Sequence, residues 1–124
     1  MRKFRFRKFK VYQDAIRFRM RIKALTNKYF PKDEKYLIID QIIRAANSIV
    51  LAIAEGADRS TDKDFALFLN RAHTSLNEVV ACLDIALAEK FISLRVYLEY
   101  VAEAENLANQ ITAFRRKLLI SPSK

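Results

Sequence analysis

A chain of 124 residues fits one domain, with roughly two thirds of its unfolded surface buried on folding, and excludes a second independent core. One Gly and two Pro in a sequence that is 52% hydrophobic and 30% charged leave few turn formers among strong helix formers, so the expected class is all-α. The net charge of +9 sits at one end: residues 1–28 carry eleven Lys or Arg against Asp14 alone, a balance of +10, whereas residues 29–124 carry twelve basic and thirteen acidic residues, a balance of −1.

Residues 2–10, RKFRFRKFK, alternate Phe4 and Phe6 with Arg5 and Arg7, a period that suits an extended segment better than a helix. Such a segment has little to bury, so the expectation is a mobile arm over residues 1–10 that orders on a partner. One-sided basicity of this kind suits a polyanion, either nucleic acid or anionic lipid. Aromatics among cations can stack on exposed bases while the cations track phosphates. The alternative for Phe9, and for Phe6 beside it, is packing on the end of the first helix, and for Phe9 packing is the expectation. The Arg-rich start resembles a transit peptide, but it lacks Ser and runs without a break into a helix that the core needs, which argues against targeting.

The first helix is expected from about Val11 to Tyr29, because Val11, Ala15, Phe18, Ile22, Leu25 and Tyr29 follow at spacings of four and three. Pro31 stops it. At about 100° per residue, Lys10, Arg17, Arg21 and Lys28 fall on one flank of that seam, and Arg19 and Lys23 on the other. The outermost line holds Ile16, Met20 and Ala24, where a monomer is expected to place charge, so this strip is a candidate subunit contact.

Asp33 is the expected cap of a second helix over about Glu34–Glu55, with Ile38, Ile42, Ala45, Ile49 and Ala52 on the seam. Ile39, Ile43, Ala46, Val50, Leu51 and Ile53 widen its apolar face until little of it is polar. Gly56 is expected to close it in the left-handed conformation. Ser60 or Thr61 caps the third helix, Thr61 and Asp64 having the spacing of a capping box. Phe65, Leu69, Ala72, Leu76, Val79, Leu83 and Ala86 form its seam, with Phe68 and Val80 beside it. Ser93 opens the fourth helix, in which Tyr97, Val101, Ala104, Ala108, Ile111, Phe114 and Leu118 are expected to face the core. Arg115, Arg116 and Lys117 close it against the negative end of the dipole. Four such ladders with short connections predict an antiparallel up-down-up-down four-helix bundle over residues 11–120, followed by a short polar tail at 121–124. No run approaches the ~20 apolar residues that a membrane span needs.

The stretch QIIRAANSIVLAIAEGADRSTDKDFALFLNRAHTSLNEV, from Gln41 onward, resembles the family of small four-helix-bundle proteins encoded in intervening sequences of bacterial large-subunit ribosomal RNA genes. The family pattern runs approximately QIRRA, SIPSNIAEG, then Arg, Ser or Thr, an acid, FL and SLxE. It is matched by Gln41, Arg44, Ala45, Ser48, Ile49, Ile53, Ala54, Glu55, Gly56, Arg59, Ser60, Asp64, Phe65, Phe68, Leu69, Ala72, Ser75, Leu76 and Glu78. KVYQDA at Lys10–Ala15 and the Phe30-Pro31 pair are similar too, so the resemblance covers about residues 9–118.

Several positions depart from the pattern. Ile43 stands at a usual Arg, Val50, Leu51 and Ala52 replace Pro-Ser-Asn, and Lys90 occupies a place where a helix-ending Gly is common. The apolar replacements suggest deeper burial or a subunit interface. The resemblance implies a bundle that assembles into a ring-shaped homo-oligomer, a pentamer, without enzymatic activity. Related bundles serve as basic accessory subunits of reverse transcriptases in diversity-generating retroelements.

Nothing in the sequence assembles chemistry. His73 lacks metal-binding neighbours, and Cys82, the only cysteine, lacks a histidine partner and reads as a small buried apolar residue in a reduced, cytoplasmic protein. Asp62 with Asp64 and Glu103 with Glu105 read as caps and solvated faces. One glycine permits no phosphate loop, and neither a metal nor a cofactor is expected. Arg44, Glu55 and Arg59 read as an ion-paired set fixing how the second helix enters its turn, with partner binding as the alternative. The leading expectation is a non-enzymatic, ring-forming bundle that binds nucleic acid, RNA before DNA, through Arg2, Lys3, Arg5, Arg7, Lys8, Lys10, Arg17, Arg21 and Lys28. The alternatives are a protein-interaction scaffold or accessory subunit of a nucleic-acid enzyme, and peripheral attachment to anionic lipid.

Overall fold

The four-three ladders become four helices: α1 (Lys10–Tyr29), α2 (Asp40–Gly56), α3 (Asp62–Ala88) and α4 (Leu94–Ile120). The structure, a computed structural model, describes residues 3–120, so Arg2 and the tail at 121–124 lie outside the described residues. The helices pack antiparallel in sequence-adjacent pairs as a bundle, and α1 also lies against α4. The α1 seam of Val11, Ala15, Phe18, Ile22 and Leu25 is buried, and so is the entire α3 seam from Phe65 to Ala86. On α4 the buried line is instead Val96, Tyr100, Ala104, Leu107 and Ile111, with Tyr97, Val101, Ala108, Phe114 and Leu118 half-buried at its edge. That rotation carries the Tyr97 hydroxyl across to α3, where it donates to Asp84 at 2.5 Å.

Two caps agree with the sequence. Thr61 Oγ1 accepts from the Asp64 amide at 3.1 Å, and Ser93 Oγ accepts from the Val96 amide at 3.2 Å, each satisfying an amide that the first turn of a helix leaves orphaned. The start of the second helix departs from expectation. Asp33 makes no capping bond; Lys32–Glu34 is a 3₁₀ turn and Lys35–Ile39 is wound as a π-helix with a non-helical kink at Leu37 (φ −118°, ψ −111°) before α2 begins at Asp40.

Gly56 also departs from expectation. It is not left-handed, since no glycine in the described chain has positive φ; it is the buried last residue of α2, and a Cβ there would lie 2.6 Å from Phe68 Cβ and 2.9 Å from Phe65 Cδ1. The glycine is needed for close approach of α3, not for turning. The left-handed helix end belongs to Lys90 (φ 65°), where the Phe91 amide donates to the Ala86 carbonyl at 2.9 Å and the Lys90 amide to Leu87 at 3.0 Å, a complete Schellman cap.

Contrary to the expected lack of any such run, the helical segment Lys32–Gly56 is long and apolar enough to cross a membrane, with a mean hydropathy of 1.7 over its most apolar stretch. In the bundle Ile42, Ala45, Ala46, Ile49 and Ile53 of this segment are core, packed between α1 and α3.

Candidate nucleic-acid interface

The arm folds back on the bundle. Residues Arg5–Lys8 form a 3₁₀ turn entered through Phe4 at φ 61°, ψ 38°, so the expected extended, mobile segment is corrected over these residues. The reason is that the segment finds partners. Arg5 donates from Nε and Nη2 to the Ala57 carbonyl at 3.1 and 2.7 Å, and its guanidinium lies 5.5 Å from the Phe9 ring and 5.8 Å from the Phe65 ring. Phe9 packs as expected, stacked on Phe65 at 6.0 Å and edge-on to Phe114 at 5.2 Å. Phe6 meets Tyr12 at 4.9 Å, and Gln13 Nε2 donates to the Arg7 carbonyl at 2.9 Å. Arg5 is therefore an anchor with two of its three guanidinium nitrogens committed to the Ala57 carbonyl, which leaves it less open to a phosphate than its sequence suggests.

The flank of α1 is also more engaged than its sequence suggests. Lys10 and Arg17 both bind Asp14, at 2.6 and 2.5 Å, and Gln110 of α4 donates to the same carboxylate at 2.9 Å. Those partners, the Lys10 bond foremost and Gln110 next, hold the Asp14 carboxyl below its ordinary pKa. Arg21 reaches Glu99 at 2.6 Å and Glu103 at 2.5 Å and lies 4.7 Å from the Tyr100 ring. The bonds to Glu103 and then Glu99 raise its pKa further still. With two carboxylates on one guanidinium, Arg21 offers no net positive charge to a polyanion. Lys28, one residue before the end of α1, lies about 27 Å along the helix from Lys10 at 1.5 Å per residue, so it belongs to the other end of the bundle. On the opposite flank Arg19 donates to Asn47 at 2.8 Å.

What the antiparallel packing does bring to the arm is a set of cations that the linear charge count missed. Phe114 sits against Phe9, so the exposed Arg115, Arg116 and Lys117 of α4 stand at the arm's end of the bundle. Exposed Arg59 and Lys63, from the α2–α3 corner, join them there. The other end balances Lys28, Lys32, Lys35, Lys90 and Arg95 with Asp33, Glu34, Asp40, Glu89 and Glu99. Glu55, Asp58, Asp62 and Asp64 offset part of the charge at the arm's end, but cations remain in excess there, so charge is polarised along the bundle axis. The signal for this in the sequence was the α4 triplet itself, which dipole logic alone had accounted for; α4 runs on to Ile120, leaving only Lys117 in its last turn.

Between the arm and the α2–α3 corner runs a groove of about 750 Å³ lined by Lys3, Phe4, Arg5, Phe6, Ala54, Glu55, Ala57, Asp58 and Arg59. The expected ion-paired set of Arg44, Glu55 and Arg59 does not form. Arg44 pairs with Asp40 at 2.5 Å on the surface, Glu55 is exposed, and Arg59 lies 5.0 Å from the Phe68 ring, so none of the three is a buried charge that needs a partner. Ile16 and Met20 are 39% and 55% exposed, as a subunit contact on α1 requires. Cys82 is buried in α3, and desolvation first, with Glu78 second, pushes its thiol up to about 11. Among the described residues no group of three or more His, Cys, Asp or Glu side chains is arranged to hold a metal ion.

Residues 7–113 match the 23S rRNA-intervening sequence protein family. The chain belongs to that family. A solved structure from Bacteroides thetaiotaomicron, a protein of unknown function from the S23 ribosomal protein family, superposes with a TM-score of 0.77 at 21% identity, over 85% of this chain and 97% of that one; at that identity the likeness is one of fold. No curated protein matches the chain. Within the family match lie Gln41 and Arg44, both exposed, together with Glu55, buried Gly56 and Arg59. Of the apolar departures from the family pattern, Val50 and Ala52 are buried, Ile43 is half-buried, and Leu51 is 57% exposed. Lys3, Phe4, Arg5 and the Arg115–Lys117 triplet fall outside the matched range, on both sides of it, and meet at one end of the bundle.

Proposed function

We propose that this family member is a non-enzymatic, ring-forming bundle that binds nucleic acid through the basic end of the bundle, by phosphate contacts and without sequence specificity. The observation that carries this reading is the excess of cations at one end, where Lys3, Lys8, Lys63, Arg115, Arg116 and Lys117 outnumber Glu55, Asp58, Asp62 and Asp64, while the opposite end carries both signs in equal number. The family's link to a 23S rRNA intervening sequence favours RNA over DNA. The reading replaces Arg5, Arg21 and Lys28 as phosphate ligands with the α4 triplet and Lys63. Ring formation is supported by exposed apolar side chains on two sides of the bundle, Ile16, Met20 and Leu51 on α1 and α2, and Ile85, Leu94 and Leu98 on α3 and α4. Two unlike patches suit a head-to-tail contact, which gives a ring when the rotation between copies closes; a pentamer is the expected size. The buried, unpaired Cys82 fits a reducing, cytoplasmic setting.

A filter-binding titration of labelled RNA tests the reading. Retention at low salt that disappears on adding salt is the expected result, and no retention at low salt contradicts it. The same exposed apolar side chains favour a second reading, an accessory subunit or scaffold for a nucleic-acid enzyme such as a retroelement reverse transcriptase. Its test is co-purification of one stoichiometric enzyme partner with the intact protein.

A further inference from the structure

We infer that the groove between the arm and the α2–α3 corner seats an unpaired nucleobase of a single-stranded nucleic acid, with Phe4 as the stacking surface. This rests on the nucleic-acid reading above and names what the basic end holds. The groove's volume of about 750 Å³ lies inside the roughly 300–1,000 Å³ range of sites that enclose small organic groups.

Its lining combines cations with carboxylate acceptors and an aromatic face, a mixture that suits a nucleotide's base as well as its phosphate. Glu55 and Asp58 both line it, and neither has an ion-pair partner among the described residues. These two carboxylates are not what a site for phosphate alone would carry. They accept hydrogen bonds from the amino groups on the edges of adenine, cytosine and guanine. Lys3 and Arg59, which line the groove, supply cations for the phosphates of the nucleotide whose base is seated there.

Phe4 supplies the π-face. It is 62% exposed and held at φ 61°, a conformation that costs a non-glycine residue on the order of 1 kcal/mol. The fold tolerates that strain because Arg5 pins the next residue to the Ala57 carbonyl and Phe6 meets the Phe4 ring edge-on at 6.4 Å. A large ring kept out of the core on a fixed turn beside cations is the arrangement single-strand binders use. Duplex bases already have their faces covered by their neighbours and cannot use it.

The test uses the fact that the chain contains no Trp. Phe4→Trp in the full chain places one indole at the proposed stacking surface. It is titrated at low salt with a mixed-sequence single-stranded RNA, with the corresponding duplex, and with inorganic polyphosphate, a polyanion that has no bases. The single strand is expected to quench the indole strongly and the other two to bind without quenching it. Phe4→Ala is expected to weaken single-strand binding roughly 5- to 100-fold while leaving polyphosphate affinity and Tm unchanged. Equal quenching by all three ligands, or single-strand affinity unchanged in Phe4→Ala, overturns the base seat and leaves the basic-end reading standing. Failure of all three ligands to bind overturns both.

Discussion

A methyl group added at position 56 would come within 2.6 Å of Phe68 Cβ, an atom fixed to the α3 backbone that no rotamer change can move. Alanine gains about 1 kcal/mol of helix propensity over glycine, but overpacking of this kind costs typically 1–3 kcal/mol, and here the nearest atom cannot yield. Gly56→Ala is therefore expected to lower stability by about 1–2 kcal/mol, read as a fall in Tm by circular dichroism; an unchanged Tm would show that α3 can back away. Lys90 presents the opposite case. It holds a left-handed φ at the Schellman cap, so Lys90→Gly is expected to raise stability by about 0.5–1 kcal/mol, once glycine's greater unfolded-state entropy is subtracted. The Cys82 thiol, buried and raised to about 11, is expected to resist a thiol reagent at pH 8 until the protein is unfolded; rapid labelling of the folded protein would contradict its placement in the core.

The helices were legible to different depths. The α1 and α3 faces could be read from spacing because each packs around one continuous seam, and the Thr61 and Ser93 caps could be read because their chemistry is local. The lead-in to α2 could not: nothing in the composition of KDEKYLII marks the kink at Leu37. Sequence likewise gave Gly56 a special role but could not separate a left-handed φ from a close helix approach, since both demand the same residue. The α1 flank was read correctly as a line of cations, but its carboxylate partners Glu99 and Glu103 lie some eighty residues away, invisible until α4 is laid beside it.

Those partners give element-scale predictions. Arg21→Ala is expected to cost about 1 kcal/mol or less, as surface pairs do, and to leave RNA affinity unchanged. A loss of affinity comparable to that from an arm cation would show that Arg21 reaches the ligand. Asp14 has a folded pKa below its ordinary value of 3.8, so its ionised form binds protons less readily in the folded state than in the unfolded one. Its contribution is fully present above the unfolded value and is lost as pH falls through the lowered folded value. The stability difference between the native protein and Asp14→Asn is therefore expected to be constant at neutral pH and to shrink below about pH 4, as followed by Tm across an acid titration.

At the scale of the molecule, the bundle is a strut about 40 Å long at 1.5 Å per residue of its 27-residue helices α3 and α4, with cations in excess at one end and balanced charge at the other. Two features of sequence order produce this. The basic arm precedes α1, the basic triplet falls near the end of α4, and an up-down-up-down path returns the end of the fourth helix to the start of the first. The linear charge count saw only the first contribution. The salt dependence of RNA binding, compared between the native chain and a variant with Arg115, Arg116 and Lys117 all changed to Gln, tests this most directly. The predicted result is a linear fall of log K with log salt for the native protein, and a slope shallower by about 2 in the variant, as expected when roughly three phosphate contacts to a single strand are lost at about 0.7 each. Identical slopes for the two proteins, or no salt dependence in either, would contradict the assignment of the bundle's basic end as the nucleic-acid interface.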